Sequence, residues 1–190
     1  PPARGVLILT RFDVRYLFKL LSGCGVGFKF MQAFAKNNNI PFSRLIPLLD
    51  FCAVSIAADI VPVVDENRIL AFHGLKLLNT NPSIGLKSII DICGLNGREL
   101  SMSDIVFKIG PRIDASGSME NGKLSVDLLV ERDYSSALRM ARHINEYNEQ
   151  RKDIDKQMTE EANGIVSRLE SMKHNSSIVL YDEGWKKGVI

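Results

Sequence analysis

Three stretches of this sequence hold residue types that can do chemistry at a spacing worth weighing. The first centres on Asp59, the only carboxylate in residues 51–64, a run otherwise made of apolar and small side chains. A carboxylate carried alone into such surroundings costs several kcal/mol, so it must be paired, hydrogen-bonded or bound to a metal. The alternative is that Asp59 caps the turn made by Ile60, Val61 and Pro62. The second is Gly110-Pro111-Arg112-Ile113-Asp114-Ala115-Ser116-Gly117. An Arg between a Pro and a glycine-rich turn can offer its planar fork to a phosphate bidentately, or it can brace the loop by pairing with Asp114. The third is Gly23, Gly25 and Gly27 at the start of a helical pattern, where backbone N–H groups can cradle an anion. Their offsets match neither the dinucleotide fingerprint nor the Walker loop, and close packing or a tight turn explains them as well.

Other constellations are missing. His73, His143 and His174 are too scattered for a metal-ligand spacing, and no Ser/His/Asp or Cys/His order stands out. One carboxylate cannot by itself build a hydrolytic metal site.

Composition bounds the rest. The chain has 190 residues, 24 Lys+Arg against 22 Asp+Glu, and a 45% hydrophobic share, which excludes a disordered or collagen-like polymer. A net charge of +2 does not announce a nucleic-acid binder by charge alone, although residues 4–19 gather Arg4, Arg11, Arg15 and Lys19 against Asp13. Cys24, Cys52 and Cys93 form an odd set without CxxC spacing, as expected of reduced, buried thiols in the cytoplasm. No apolar run is long enough to span a membrane and no signal peptide is evident. The first residues, Pro-Pro, and the last, Gly188-Val189-Ile190, read as cuts in a longer polypeptide.

The elements that must position these residues are mostly α. Residues 5–9 suit a buried strand. A helix follows from the glycines to about Lys36, with Val26, Phe30, Met31 and Phe34 at three- and four-residue spacing and Asn37-Asn38-Asn39 as its stop. Pro41 begins a second helical stretch whose residues 51–58 demand burial on all sides. Residues 66–78 and 84–93 predict two more helices. Ser101 with Asp104 predicts a capping box ahead of 105–109. Residues 111–122 are rich in Gly, Ser and Asn and read as a loop, and 124–130 as a short helix. From 134 to 173 one apolar stripe (Ile144, Tyr147, Ile154, Met158, Ala162, Ile165, Leu169, Met172) runs along a single helix of the kind that joins domains or dimerises. Residues 177–181 predict a strand, followed by Gly184-Trp185.

Taken together, residues 21–29 (Leu-Ser-Gly-Cys-Gly-Val-Gly-Phe-Lys), Ala57-Ala58-Asp59-Ile60-Val61-Pro62 with Glu66-Asn67-Arg68, Gly110-Pro111-Arg112-Ile113, the long helix, and Gly184-Trp185 with Gly188-Val189-Ile190 resemble the RecJ family. That family comprises single-strand-specific 5′-to-3′ DNA exonucleases of the DHH phosphoesterase superfamily, and the resemblance covers roughly residues 20–190. It implies that 1–133 form the helical C-terminal part of a DHH domain, 134–173 the connector helix, and 174–190 the first strand and turn of a DHHA1 domain. It implies that Asp59 is a metal ligand in a centre of two divalent ions, Mn²⁺ or Mg²⁺, and that Arg112 binds the 5′-phosphate of the substrate. Single-stranded DNA is then the partner, with repair and recombination proteins beside it, and no membrane.

The sequence departs from the family in three places. The other metal-binding aspartates and the Asp-His-His triplet do not occur here, Asp114 and Ser118 stand where the family has Asn and often Arg, and residues 1–20 match poorly. The expectation is therefore that this chain alone is inactive and does not retain the metals. Two rivals remain open: a DHH-type phosphoesterase acting on short oligonucleotides or phosphorylated small molecules, and a non-catalytic helical module that docks a partner through the long stripe.

Overall fold

The computed structural model describes residues 16–119, 122–168 and 177–186. Ser22 opens α1 (Gly23–Asn37) by accepting the Gly25 N–H on its hydroxyl at 3.2 Å, and the helix stops at the asparagines, with Asn39 in the left-handed region at φ 54°. Two 3₁₀ turns (Phe42–Arg44 and Ile46–Leu48) lead into α2 (Leu49–Ala58), which has buried residues on every face. Then come α3 (Asp65–Thr80) and α4 (Ile84–Ile92).

The predicted capping box is present. The Ser101 hydroxyl accepts the Asp104 N–H, and the Asp104 carboxylate accepts the Ser101 N–H at 3.0 Å. It starts α5 (Met102–Asp104), which runs through a π turn (Ile105–Ile109) directly into α6 (Gly110–Met119). α7 (Lys123–Val130) and α8 (Tyr134–Arg168) complete the order. At 35 residues α8 is about 52 Å long.

α2 is the axis of the molecule. One cluster of buried side chains joins it to α1, α3 and the 3₁₀ turns through Phe28, Leu49, Cys52, Ile56 and Leu70; the other joins it to α4, α6, α7 and α8 through Ala53, Ala57, Leu86, Ile89, Ile105, Leu128 and Ile144. Two glycines permit the closest crossings. A Cβ at Gly74 would lie 2.1 Å from the Leu49 carbonyl oxygen, and one at Gly85 would lie 2.2 Å from that of Leu128. Asp50 is fully buried beneath this crossing, where its carboxylate accepts the N–H of Phe51 and that of Ser83, both at 2.8 Å, so it ties the start of α2 to the start of α4. Burial pushes its pKa up and those bonds oppose the shift.

Two expectations need correction and two fall outside the description. Residues 111–119 are helical rather than a loop: Ala115 and Ser116 are fully buried, and α6 packs on α8 and α2, so tertiary packing outweighs the weak helix propensity of its glycine and serines. Residues 177–182 form no strand, which requires a paired neighbour that the described residues do not provide. They are followed by a turn in which the Gly184 N–H meets Asp182, and the Trp185 indole donates to Glu161 of α8 at 3.0 Å. The strand expected at 5–9 and the helix beyond Arg168 lie outside the described residues.

Candidate functional site

Asp59 stands where α2 ends. Its backbone N–H still bonds to the Ser55 carbonyl at 2.9 Å, while its side chain is exposed and accepts the Ser55 hydroxyl on Oδ2 at 3.1 Å. The expectation of a buried carboxylate is thus corrected, because the apolar run is wound into α2 and its last turn emerges at the surface. Asp59 does occupy the C-cap position, as the capping alternative proposed. Directly after it Ile60 takes φ 51°, a left-handed conformation that a β-branched residue holds only at a cost of roughly 1 to 3 kcal/mol. The turn is held from below by Asn67, fully buried, whose amide donates to the carbonyls of Leu20 at 2.7 Å and Pro62 at 3.0 Å.

Ser55 also connects Asp59 to α1, since its hydroxyl accepts the Cys24 N–H at 3.3 Å. This bears on the glycine cradle. The N–H groups of Cys24, Gly25 and Val26 are taken by Ser55 Oγ, Ser22 Oγ and Ser22 O, so they are not offered to an anion. Close packing accounts for Gly25, where a Cβ would meet Leu21 Cδ2 at 3.2 Å, whereas Gly23 and Gly27 face open space. Cys24 is exposed, contrary to expectation; Cys52 is buried and Cys93 half-buried, and all three are free thiols. Burial pushes the Cys52 thiol up to about 12, with smaller contributions from Cys24 and Asp50.

The start of α6 abuts the end of α2: a Cβ at Gly110 would touch Ala58 at 3.4 Å. Asp114, on the first turns of α6, therefore feels Asp59 across 55 positions of sequence. Burial raises the Asp114 pKa, Asp59 raises it further, and Arg151 of α8 lowers it. The fold thus gathers Asp59, Asp114 and Arg151 from three helices.

Arg112 sits on α6 itself. Two positions apart on a helix, Arg112 and Asp114 do not face one another, so the geometry does not favour the loop-bracing pair. Arg112 instead donates from Nε to Asn145 Oδ1 of α8 at 2.9 Å and from Nη1 to the Lys108 carbonyl at 2.8 Å. The second bond is local, joining Arg112 to the carbonyl one turn before it, in the π turn that precedes α6. The Cys93 thiol reaches the same carbonyl at 3.6 Å. Burial raises the Cys93 pKa; Arg112, Lys108 and Lys152 pull it down and Asp104 pushes it up. Lys108 pairs with Asp104 at 3.3 Å and Lys152 with Glu149 at 3.0 Å.

Among the described residues no group of three or more His, Cys, Asp or Glu side chains is arranged to hold a metal ion. Asp59 fits the part of a single ligand, an exposed carboxylate oriented by one hydroxyl. His73 lies in an apolar groove of about 490 Å³ between α1, the 3₁₀ turns and α3, whose lining includes neither Asp59 nor Arg112. His143 stacks on Tyr147, and His174 lies outside the described residues. Sequence reasoning missed Ser55 and Asn145, polar side chains whose only signal was their place in or near helical apolar patterns, and gave Asn67 no role beyond its place in the Glu66-Asn67-Arg68 motif. No described helix is long and apolar enough to cross a membrane.

No family model matches the chain. It aligns over its whole length with the single-stranded-DNA-specific exonucleases RecJ of Bacillus subtilis, at 32% identity, and Escherichia coli, at 28%. It spans only 23% and 35% of the length of those two relatives. Among solved structures, RecJ from Thermus thermophilus in complex with Mn²⁺ superposes with a TM-score of 0.75 at 24% identity, over 93% of this chain and 25% of that one. Another exonuclease RecJ, bound to manganese, gives 0.77 at 23%, over 94% of this chain and 43% of that one.

Proposed function

We propose, on the premise that this chain is homologous along its whole length to a segment of the RecJ exonucleases, that it is the part of a divalent-metal-dependent 5′-to-3′ exonuclease on single-stranded DNA that carries one metal-binding carboxylate and one phosphate-binding arginine. The observation that carries this reading is the junction of α2 and α6, which sets the exposed Asp59, pinned by Ser55, against the start of the helix bearing Arg112. When bound, two ions of Mn²⁺ or Mg²⁺ would activate water and stabilise the leaving oxygen of a phosphodiester. Within this chain Asp59 would supply one ligand and Ser55 would fix its orientation; the other ligands are not among the described residues. Arg112 would hold the terminal phosphate by a charge-assisted pair of bonds.

In the same reading residues 134–173 form the connector and 174–190 enter the next domain, the partners are single-stranded DNA and repair and recombination proteins, and the compartment is the cytoplasm. The rival of a docking module loses ground because the start of α8 is spent internally: Ile144, the first residue of the stripe, is buried with Ala137 and Ala141 before it against the core shared with α4 and α7.

The test uses the intact protein with Mn²⁺ and a panel running from long 5′-phosphorylated and 5′-hydroxyl single strands to dinucleotides. Asp59→Asn should abolish most turnover on every substrate while the fold survives, since losing the Ser55 contact alone costs about 1 kcal/mol. Arg112→Ala should reduce turnover of 5′-phosphorylated strands selectively. Faster turnover of dinucleotides than of long strands would replace the exonuclease with the short-oligonucleotide phosphoesterase.

A further inference from the structure

We infer that Asn145 is the positioning residue for the Arg112 guanidinium, and that its being a neutral amide rather than a carboxylate is what keeps this contact from being an ion pair that would compete with an anionic ligand. The inference deepens the reading of Arg112 given above and rests on it. Arg112 is half-buried on α6, and its fork is fixed at two points: Nε by Asn145 Oδ1 at 2.9 Å, and Nη1 by the Lys108 carbonyl at 2.8 Å. Both acceptors are neutral, so the bonds set the plane of the fork without cancelling its charge. A guanidinium carries five N–H donors, which leaves others to offer. The neighbouring cations Lys108 and Lys152 each sit directly on a carboxylate, whereas Arg112 acts on Glu149 through space and more weakly than Lys152 does. Asn145 is also well placed to be rigid. It lies on α8 between Ala141 and Asn148, both buried, directly after the fully buried Ile144 that anchors this stretch of helix in the core.

Anchoring through α8 gives the contact a second consequence. Arg112 belongs to α6 and Asn145 to the long helix, so the direction of the fork depends on how these two helices pack. A phosphate-binding arginine tied in this way loses little side-chain entropy when its ligand arrives, which is the advantage of preorganisation.

The test is a double-mutant cycle in the intact enzyme, read as the ratio of kcat/KM for 5′-phosphorylated over 5′-hydroxyl single strands. Asn145→Leu should lower that ratio roughly fivefold to tenfold, the worth of one good hydrogen bond, and should change it no further in an Arg112→Ala background. Asn145→Asp keeps an acceptor in the same place but adds a charge, so the ratio should again fall even though melting temperature is retained. A merely structural Asn145 predicts the opposite pattern: equal losses on both strands for Asn145→Leu, and an unchanged ratio for Asn145→Asp. Either that pattern or full additivity with Arg112→Ala overturns the inference. If Arg112→Ala itself leaves the ratio unchanged, the phosphate reading of Arg112 fails, and the inference with it; if Arg112→Ala lowers the ratio and Asn145→Leu does not, only the inference fails.

Discussion

Gly74→Ala tests the packing that delivers Asp59 to the surface. In an ordinary exposed helix, replacing Gly by Ala stabilises by about 1 kcal/mol, because the backbone has less freedom to lose. At Gly74 the new Cβ would stand 2.1 Å from the Leu49 carbonyl oxygen, 2.7 Å from Ala53 Cβ and 2.9 Å from the Leu49 carbonyl carbon. Two of those three atoms are backbone, so no rotamer change relieves the contact, and α2 and α3 must part by more than an ångström. Overpacking of this kind costs roughly 1 to 3 kcal/mol or more and here exceeds the propensity gain. Gly164 provides the internal control: it lies in α8 and a Cβ there meets nothing within 4 Å. Gly164→Ala should raise stability by about 0.5 to 1 kcal/mol, and Gly74→Ala should lower it by about 2 kcal/mol, a fall in Tm of roughly 4 to 8 °C for a chain of this size. Thermal and urea denaturation followed by circular dichroism measure both. If Gly74→Ala is as stable as the parent, α2 and α3 do not cross at this distance and the account of how α2 is buried is wrong.

Asp104 is held well below the usual carboxylate range by Arg98 first, with the Ser101 N–H next and Lys108 adding to it. A depressed pKa contributes stability that is present above the unfolded value near 3.8 and is lost as pH falls below it. Asp104→Ala should therefore cost about 1 kcal/mol as a lost cap at neutral pH, and the difference from the parent should shrink on acidification below pH 4; a difference that grows there would contradict the assignment. Maleimide labelling of the native chain should modify exposed Cys24 well before buried Cys52, whose thiol should react only after unfolding. Equal rates would show that the α1–α2 packing opens readily. The 190-residue chain alone, given Mn²⁺ and 5′-phosphorylated single strands, should release no nucleotides, and turnover at the rate of the intact enzyme would refute the view that it supplies only part of the site.

What the sequence revealed and what it concealed divide along the range of the interactions. The Ser101–Asp104 capping box, the asparagine stop of α1 and the all-round burial of α2 were legible because each is decided within a few residues. The helix at 110–119 was not, since its glycines and serines favour a turn locally and only burial of Ala115 and Ser116 against α8 and α2 makes them helical. The site shows the same division. Asp59 and Arg112 stood out by residue type, but their settings come from afar: Asp59 from the end of a helix that surfaces, and Arg112 from Asn145, 33 positions on. The roles of Asp50 and Asn67 were not legible because a buried polar side chain is recognised by its partners, here Ser83, Leu20 and Pro62, which only the fold reveals. The exposure of Cys24 in a glycine-rich stretch had no local sign either.

On the proposed function Asp59 is a metal ligand rather than a helix-ending cap. Mn²⁺ titration of the intact protein, followed by calorimetry and by the electron paramagnetic resonance signal of free ion, addresses it without reference to turnover. Loss of an outer-shell group typically weakens metal affinity roughly 10- to 100-fold; Asp59→Asn, which removes a direct ligand and keeps the side-chain shape, should weaken it at least that much or abolish one of the bound ions, with the melting temperature of the metal-free protein lowered only slightly. Unchanged Mn²⁺ stoichiometry and affinity in Asp59→Asn, accompanied by a lower melting temperature alone, would contradict it.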